Sequence, residues 1–420
     1  RIFVIYYPHL SEKGGAAMLL DPFFCRAFQC CFALGARLLP WRRPEVIAGA
    51  NSLQRVPALL KENGVRRPFV VASRRQCADE RFRRLQETLD TQDILLSIFS
   101  AVEPNPSVAT VERIAAQYRL DGCDCFLVIG GGSPMDAAKA AAARIARPEK
   151  TVAQLGGLLK VRRRIPLLIA VPTTAGTGSE TTIAAVVTDA AHHKYSISDL
   201  CLIPRCAVLD PTLTVGLPPR ITAETGMDAL THAVEAYLSR FYNTKETRAC
   251  AERAVTAIFA HLERAYRDGA SLPDRMAMLQ ASFDAGAAFT RASVGNVHAI
   301  AHTLGGLYGT AHGLANAVLL PIVLEDYGAA AWPRLARLAA LVGIEGKTQE
   351  MRAKAFIAAI RAMNARMGIP DRLDCIRAED IPQMVRWARA EANPVYPVPV
   401  IYDEARFARV IARAQAGREA

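Results

Sequence analysis

The 420-residue sequence lacks the cysteine patterns that mark disulfide-rich domains and zinc-binding modules. Its ten cysteines show no paired metal-ligand spacing and lie within apolar runs, where a free cysteine behaves as a small hydrophobic residue. The nearest approach to a motif, Cys123-Asp124-Cys125, leads directly into the apolar run CFLVIG and is typical of packing at the start of a strand. The cysteine usage therefore indicates a reducing, cytoplasmic compartment.

The sequence also lacks an apolar run long enough to cross a bilayer. The apolar stretch at residues 21–41, which suggests a membrane span, is interrupted by Arg26, Gln29 and Arg37, whereas a membrane-spanning helix needs about 20 predominantly apolar residues. The stretch has neither the basic region nor the cleavage site of a secretory signal. We predict an amphipathic helix within an N-terminal extension of residues 1–43. This helix could pack on the body of the protein, pack on a partner subunit or contact a membrane peripherally.

Basic runs interleaved with aromatic residues, a pattern typical of nucleic-acid binding, are absent as well. The formal net charge is +11, but the arginines are spread along the whole chain, as expected for a solvated surface. With 51% apolar residues, a chain of this length can bury a large core and form two or three domains. These features indicate a globular protein that binds no nucleic acid, and we expect it to be a homo-oligomer such as a dimer.

Short β-rich runs alternate with longer helical patterns between residues 44 and 216, which predicts a parallel sheet with helices on its faces. The clearest strands are the apolar runs at 67–73, 125–133 and 165–174. Beyond residue 216 the sequence is rich in alanine and has the periodicity of helices. We therefore predict an α/β plus all-α architecture, with a Rossmann-like parallel-sheet domain in residues 44–216 and an all-helical domain in residues 217–420.

Two of the predicted strands end in loops rich in glycine and hydroxyl groups. FLVIG is followed by Gly131, Gly132 and Ser133 at the start of a helix, where unpaired backbone N–H groups and the helix dipole favour a phosphate. Alone, this loop could be a plain tight turn. VPTTAGTGSE (171–180) adds the hydroxyls of Thr173, Thr174, Thr177 and Ser179. Together the loops predict a dinucleotide-binding crevice, the alternative being a polar loop capped by its own hydroxyls.

Three of only eight histidines lie between residues 293 and 318, among small and apolar residues. His298 and His302 are four residues apart, and His312 follows. Asp228 and His232 have the same four-residue spacing, which places both side chains on one face of a helix. A helical salt bridge would explain one pair, but each buried histidine without a partner would cost about 1–3 kcal/mol. A shared divalent cation removes that cost, so we predict a metal site that uses four of these five side chains.

In their order and spacing, these motifs resemble those of the iron-containing (group III) alcohol dehydrogenases. The similarity covers roughly residues 44–400 and rests on GGGSPMDAAKA, PTTAGTGSE, GMDALTHAVEAYLS and HAIAHTLGGLYGTAHGLANAVLLP. It implies a dehydroquinate-synthase-like fold. It also implies metal ligands, a catalytic histidine beside the nicotinamide, and cofactor contacts. The implied ligands are Asp228, His232, His298 and His312, the catalytic residue is His302, and the cofactor contacts are Gly131, Gly132, Ser133, Asp136, Thr173, Thr174, Ser179 and Lys194.

The resemblance implies reversible oxidation of a primary alcohol to an aldehyde, with hydride transfer to a nicotinamide cofactor. A divalent metal, Fe²⁺ in the first place and Zn²⁺ as the alternative, would polarise the alcohol oxygen. A dehydroquinate-synthase-like or glycerol-dehydrogenase-like enzyme and a non-catalytic, partner-recruiting protein remain alternatives.

The end of the first predicted strand departs from the family. Members that use NAD(H) resemble VVTD there, whereas this chain has Ser73 followed by Arg74 and Arg75. Because a guanidinium can bind a phosphate through paired hydrogen bonds, we predict that the enzyme prefers NADP(H) over NAD(H), with Ser73 and Arg74 as cofactor-binding residues. The alternative is that both arginines point to solvent and that the enzyme uses both cofactors. His192 and His193 have no evident partner, and we expect them at the surface.

Overall fold

The computed structural model describes residues 22–190 and 194–416. Residues 1–21 of the N-terminal extension lie outside the described residues, as do His192 and His193. The strands are β1 (Glu45–Ala48), β2 (Pro68–Ala72), β3 (Ser97–Phe99), β4 (Cys125–Gly130), β5 (Gly157–Leu158), β6 (Leu167–Pro172), β7 (Ala184–Thr188), β8 (Lys194–Ser198) and β9 (Cys206–Leu209). The helices are α1 (Pro22–Arg37), α2 (Val56–Glu62), α3 (Arg74–Cys77), α4 (Glu80–Asp90), α5 (Val108–Leu120), α6 (Gly132–Ala146), α7 (Val152–Leu155), α8 (Pro219–Leu238), α9 (Lys245–Arg267), α10 (Leu272–Ala292), α11 (Asn296–Tyr308), α12 (His312–Tyr327), α13 (Trp332–Leu341), α14 (Gln349–Arg366), α15 (Ile381–Ala392) and α16 (Glu404–Ala414).

The chain divides into two compact units. Among the described residues, the α/β unit consists of 40–190, 194–217 and Ala270–Gly286, and the helical unit consists of 22–39, Pro218–Gly269 and 287–416. Residues 270–286 belong to the α/β unit although their sequence pattern is that of the helical half. Within that unit, Phe283 packs with Ala207 and Leu209 of β9, which gives a physical reason for the grouping.

One sheet of six parallel strands forms the centre of the α/β unit, in the order β1-β9-β6-β4-β2-β3. The three predicted strands are present and adjacent as β2, β4 and β6. In this register Ala72 pairs with Ile129, and Gly130 pairs with Pro172. Because the strands are parallel, the loops that follow β2, β4 and β6 reach the same edge of the sheet. The fold therefore brings the predicted cofactor loops together.

The central strands are buried on both faces, which explains their continuous apolar runs. Along β4, Phe126 and Val128 belong to one apolar core, and Leu127 and Ile129 belong to the core on the other face. Residues of α5 and α6 complete the first core, and residues of α2 and α4 complete the second. The Rossmann-like fold predicted from the sequence is thus present in this unit.

A second, three-stranded sheet with the order β5-β8-β7 was not predicted from the sequence. Strand β5 runs parallel to β8, and β7 runs antiparallel to it. Lys194 is the first residue of β8 and pairs with Thr188 of β7. This small sheet fixes the backbone position of Lys194.

The helical unit is built around helices with buried faces. Helix α8 packs against α9 and α12, and α11 packs against α12 and α15. Close approach of α8 and α12 requires a glycine, because a Cβ atom on Gly313 would lie 2.2 Å from the carbonyl oxygen of Glu224. These contacts bring together the three helices that carry the predicted metal ligands.

The predicted N-terminal helix is α1, and it packs on the chain's own helical unit. The buried amide of Gln29 donates to the carbonyl oxygens of Pro394 and Tyr396, at 2.9 Å and 2.8 Å. The ring of Phe32 lies 5.1 Å from the ring of Tyr242, centroid to centroid. In the part of the chain that the structure describes, no helix combines the length and the apolar character needed to cross a membrane.

Candidate metal centre and cofactor loops

Four side chains with metal-binding chemistry converge in the helical unit. Asp228 and His232 lie one turn apart on α8. His298 lies on α11, and His312 is the first residue of α12. The potential ligand atoms of these four side chains all lie within 4.8 Å of one another. Three of the residues are buried, but the His312 side chain is 39% exposed, so the cluster is open on one side.

The spacing of these atoms fits a divalent metal ion. Asp228 Oδ1 lies 3.9 Å from His232 Nδ1 and 3.9 Å from His298 Nε2. It lies 3.5 Å from His312 Nε2. Ligand atoms about 2.0–2.2 Å from a tetrahedral metal are roughly 3.3–3.6 Å apart, so the three distances from Asp228 are close to those of a metal site. One carboxylate and three imidazoles form a donor set that suits several first-row divalent metals.

The amide of Asn316 points into the middle of this cluster. Its Nδ2 atom lies 2.7 Å from Asp228 Oδ1, 3.1 Å from His312 Nε2 and 3.2 Å from His298 Nε2. An N–H donor therefore stands where the lone pairs of three potential ligands meet. Sequence reasoning missed Asn316, although a polar residue in the apolar run GLANAVLL, one turn after His312, was a usable signal.

The environment of His298 favours the form that binds metals. Burial and the neighbouring histidines His232 and His312 hold the pKa of His298 well below its usual range. The ring of His232 stacks on Phe289 at 4.1 Å and on His298 at 4.5 Å, centroid to centroid. Because a neutral imidazole is the ligating form, burial prepares His298 for a cation.

Glu235, one turn before the end of α8, holds His298 in place. Its Oε2 atom lies 2.6 Å from His298 Nδ1 and accepts the Gly295 backbone N–H at 2.9 Å. Its Oε1 atom accepts the Val297 N–H at 2.8 Å, and burial raises the pKa of Glu235 to about 7. A Cβ atom on Gly295 would lie 2.7 Å from Oε1, so this approach requires glycine. Sequence reasoning missed Glu235 because its partner lies about 60 residues away.

His302 lies beside the cluster but has a different polar partner. Its ring stacks on that of His312, with centroids 5.3 Å apart and planes 15° apart. Its Nδ1 atom lies 2.6 Å from Glu391 Oε1, which also accepts a hydrogen bond from the Tyr396 hydroxyl at 2.7 Å. The His302 side chain is 40% exposed, whereas that of His298 is 2% exposed. His302 is therefore accessible from solvent in a way that His298 is not.

The two glycine-rich loops of the α/β unit are in contact. Gly131 caps the N-terminus of α6, and a Cβ atom there would lie 3.1 Å from Thr174 Oγ1. A Cβ atom on Gly132 would lie 3.1 Å from Thr177 Cγ2. The Thr173 N–H donates to the carbonyl of Gly130 at 3.1 Å. Glycine at these positions allows the loop after β6 to pack on the N-terminus of a 15-residue helix, a typical phosphate-binding element.

Ser133 and Lys194 meet at Asn105. The Asn105 backbone N–H donates to Ser133 Oγ at 3.3 Å, and the Lys194 ammonium donates to Asn105 Oδ1 at 2.9 Å. Burial lowers the pKa of Lys194. The structure thus brings two predicted cofactor residues to one loop. Asn105 was missed, although an asparagine between two prolines in EPNPS indicates a turn.

Asp136 and Ser179 meet within the α/β unit, next to a buried lysine. Ser179 Oγ donates to Asp136 Oδ1 at 3.4 Å. The fully buried Lys139 ammonium donates to the carbonyl of Ser179 at 2.6 Å and to the carbonyl and hydroxyl of Thr182, both at 2.9 Å. Burial raises the pKa of Asp136, and the positive charge of Lys139 opposes this effect. Sequence reasoning missed Lys139, a lone charge in the alanine run AAKAAAA.

Ser73 caps the short helix α3 at the end of β2. Its hydroxyl accepts the Gln76 N–H at 3.3 Å, and Gln76 in turn donates to Thr173 Oγ1 at 3.0 Å. Arg74 is exposed, whereas the Arg75 guanidinium donates to the Gly216 carbonyl at 2.9 Å. A cavity of about 80 Å³ lies here, lined by Leu53, Arg75, Gln76, Asp79, Arg81, Phe82, Ile129, Thr173, Leu213, Gly216 and Leu217. Thus the loops after β2 and β6 share a cavity.

Comparison with known proteins identifies the family. Residues 44–211 match the family described as iron-containing alcohol dehydrogenase, and residues 222–406 match its C-terminal family. The 1,3-propanediol dehydrogenase of Klebsiella pneumoniae is 40% identical over 306 residues, which cover 71% of this chain and 78% of that protein.

Solved structures agree with this result. A crystal structure of 1,3-propanediol oxidoreductase has a TM-score of 0.86 and 34% identity, covering 90% of this chain and 100% of that one. Sulfoacetaldehyde reductase from Bifidobacterium kashiwanohense, solved with NAD⁺, has a TM-score of 0.79 and 27% identity, covering 90% and 98%. These matches favour the predicted alcohol dehydrogenase over the dehydroquinate-synthase-like and non-catalytic alternatives. The chain belongs to the iron-containing alcohol dehydrogenase family and is a metal-dependent alcohol dehydrogenase.

Proposed function

We propose that this protein interconverts small primary alcohols and their aldehydes, using a metal held by Asp228, His232, His298 and His312. The observation that carries the proposal is the convergence of these four side chains, with their ligand atoms within 4.8 Å of one another. When bound, the divalent metal supplies Lewis-acid activation of the alcohol oxygen and the nicotinamide cofactor accepts the hydride. The names of the relatives, among them 1,3-propanediol dehydrogenase, support short alcohols and diols as the first substrates to test.

Fe²⁺ is the proposed metal, with Zn²⁺ as the second candidate. The donor set of one carboxylate and three imidazoles accommodates both ions, and the name of the family supports iron. The neutral, buried His298 and the inward-facing lone pairs around Asn316 fit a cation at this point. Because His312 is part-exposed, one side of the cluster is open to substrate.

His302 is the proposed catalytic residue, and its role is to accept the hydroxyl proton of the alcohol. Support comes from its position beside His312 and from its partial exposure, because a relay must exchange its proton with water. It lies on α11, one turn after His298. A single short helix thus supplies both a ligand and the relay.

The cofactor is proposed to bind the loops at the carboxyl edge of the central sheet. Contact between the loops after β4 and β6, and their position at this edge, support that site. The preference for NADP(H) over NAD(H) is supported by the neutral Ser73 and by the exposed Arg74 beside it. The proposed contact residues are Ser73, Arg74, Gly131, Gly132, Ser133, Asp136, Thr173, Thr174, Ser179 and Lys194.

We assign one function to each predicted domain: residues 44–216 bind the cofactor and residues 217–420 bind the metal. Residues 1–43 form an N-terminal extension. The protein is proposed to be a homo-oligomer, and the cytoplasm is its proposed location because ten free cysteines suit a reducing compartment. Peripheral membrane contact of residues 21–41 remains an alternative proposal, supported by the 82% exposed Phe23 and the 87% exposed Leu38.

The test combines metal analysis with an activity assay. Wild-type protein purified without oxygen should contain about one metal ion per chain by elemental analysis and should reduce a nicotinamide cofactor with short primary alcohols. His298→Ala should lose both metal and turnover, whereas His261→Ala, which removes a histidine of α9, should keep both. Full turnover of metal-free wild-type protein would contradict the proposal.

A further inference from the structure

We propose that Glu391 is a positioning residue for the reaction, because its hydrogen bond holds the His302 ring with the proton on Nδ1 and the lone pair on Nε2. This inference rests on the role of His302 in the proposed function and extends it. It assigns a function to a carboxylate that lies about 90 residues from His302 in the sequence.

The geometry fixes the tautomer of His302. Glu391 Oε1 lies 2.6 Å from His302 Nδ1. An ionised carboxylate only accepts hydrogen bonds, so the nitrogen that faces it must carry the hydrogen. A neutral imidazole has one protonated nitrogen, and Nε2 is then left with a lone pair that can accept a substrate proton. The proton taken up by Nε2 passes on to water, since the His302 side chain is 40% exposed. The proton on Nδ1 stays on that nitrogen, in the hydrogen bond to Glu391.

Tyr396 supports the carboxylate in the accepting role. Its hydroxyl donates to the same Oε1 atom at 2.7 Å, so two donors converge on one oxygen. This convergence is favourable when the oxygen carries negative charge. The Glu391 side chain is 23% exposed, which leaves part of the carboxylate in contact with water.

The local fold explains how two residues five positions apart meet. Helix α15 ends at Ala392, and the Tyr396 N–H donates to the carbonyl of Ala392 at 2.7 Å. The chain therefore turns back after Glu391 and returns the tyrosine to it. The buried amide of Gln29 on α1 donates to the carbonyls of Pro394 and Tyr396 and braces this turn. Helix α11, which carries His302, packs directly on α15.

His298 shows why this pair is distinct from the metal site. Both histidines bind a carboxylate through Nδ1 at 2.6 Å. The Nε2 atom of His298 points to Asn316 Nδ2 and Asp228, at the buried side of the four-residue cluster. His302 is not among the four residues of that cluster. A carboxylate bound at Nδ1 therefore orients a proposed metal ligand in His298 and a proposed proton acceptor in His302.

The experiment is a double-mutant cycle on the metal-loaded enzyme. Glu391→Gln keeps the shape of the side chain but removes its charge, and it should lower kcat roughly 10- to 100-fold with unchanged metal content, a range typical of residues that orient a functional imidazole. In a His302→Ala background the same change should alter kcat less than about twofold, because the residue through which Glu391 acts is gone. Glu379→Gln, an exposed carboxylate just before α15, is the control and should match wild type.

A second readout does not depend on activity. In metal-free protein labelled with ¹⁵N-histidine, the His302 resonances, identified by their loss in His302→Ala, should show a protonated Nδ1 and an unprotonated Nε2. Glu391→Gln should shift this population towards the Nε2-protonated tautomer, and Tyr396→Phe should shift it in the same direction to a smaller extent. A predominantly Nε2-protonated ring in the wild type would overturn the inference.

The outcomes separate this inference from the proposed function. If His302→Ala turns over at the wild-type rate, the relay role fails, and the inference falls with it. If His302→Ala is slow but Glu391→Gln matches wild type, or if the two losses multiply in the double variant, only the role of Glu391 is overturned.

Discussion

Replacing Glu235 by glutamine should weaken metal binding without removing any metal ligand. The carboxylate accepts three hydrogen bonds: from Gly295 N–H and His298 Nδ1 on Oε2, and from Val297 N–H on Oε1. A glutamine amide has only one oxygen. Whichever way the amide is placed, its NH₂ group must face at least one of these donors, so at least one charge-assisted hydrogen bond is lost.

The loss of one such bond is worth about 1.5–3 kcal/mol. If the lost bond is the one that orients His298, the metal dissociation constant should rise roughly 10- to 150-fold. Part of the loss will lower the stability of the fold instead, because Glu235 also accepts hydrogen bonds from two backbone N–H groups at the start of α11, those of Gly295 and Val297. We therefore expect Glu235→Gln to lower the free energy of unfolding of the metal-free protein by about 1–3 kcal/mol.

Competition with a chelator measures the dissociation constant, and urea unfolding of the metal-free protein measures the stability. Glu350→Gln, which changes a partly exposed carboxylate on α14 in the same way, should leave both unchanged. The reasoning is refuted if Glu235→Gln folds, binds metal with the wild-type dissociation constant and unfolds at the wild-type urea concentration.

Two further predictions concern stability. Gln29→Ala should lower the free energy of unfolding by about 1–3 kcal/mol, because it removes the amide that donates to the buried carbonyls of Pro394 and Tyr396. Urea unfolding measures this loss, and Cys30→Ala, which changes an exposed neighbour, is the control that should match wild type. Glu180 is buried, and burial raises its pKa from 4.5 to about 7, so its contribution to stability is present below pH 4.5 and is lost as the pH rises through about 7. Glu180→Gln should therefore stabilise the protein by about 2 kcal/mol more at pH 8 than at pH 5, and an equal effect at both values would contradict this prediction.

Local patterns in the sequence were sufficient to predict the α/β fold and its helical continuation. Strands β2, β4 and β6 stand out because both faces are buried, which makes them continuously apolar. The small sheet β5-β8-β7 escaped detection because β5 has only two residues and because β7 and β8 bury only two and one of their five residues, so neither has the continuous apolar run of a central strand. Residues 270–286 have a helical pattern, and such a pattern does not specify which core a helix will join.

The residues that were missed share one property: each acts through a partner far away in the sequence. Spacing within one helix pointed to Asp228 with His232 and to His298 with His302. No such spacing connects Glu391 to His302, which lie on helices α15 and α11. Lys139 was missed for a related reason, since its carbonyl acceptors lie about 40 residues further along the chain. Pairings of this kind follow from packing, and the sequence alone does not specify which helices pack together.

The predicted role of Ser73 in cofactor selection can be tested with two variants that differ only in charge, because Ser73 is a helix N-cap. Ser73 is the N-cap of α3, and its hydroxyl accepts the Gln76 N–H. Aspartate and asparagine are both good N-caps, so Ser73→Asp and Ser73→Asn should fold alike and differ by one charge. We expect the aspartate to repel the 2′-phosphate of NADP(H) and to accept hydrogen bonds from the ribose of NAD(H). An electrostatic difference of about 1–3 kcal/mol would shift the ratio of kcat/KM values towards NAD(H) by roughly 5- to 150-fold, with a much smaller shift for the asparagine variant. A wild-type preference for NAD(H), or equal shifts in the two variants, would show that charge at Ser73 does not select the cofactor.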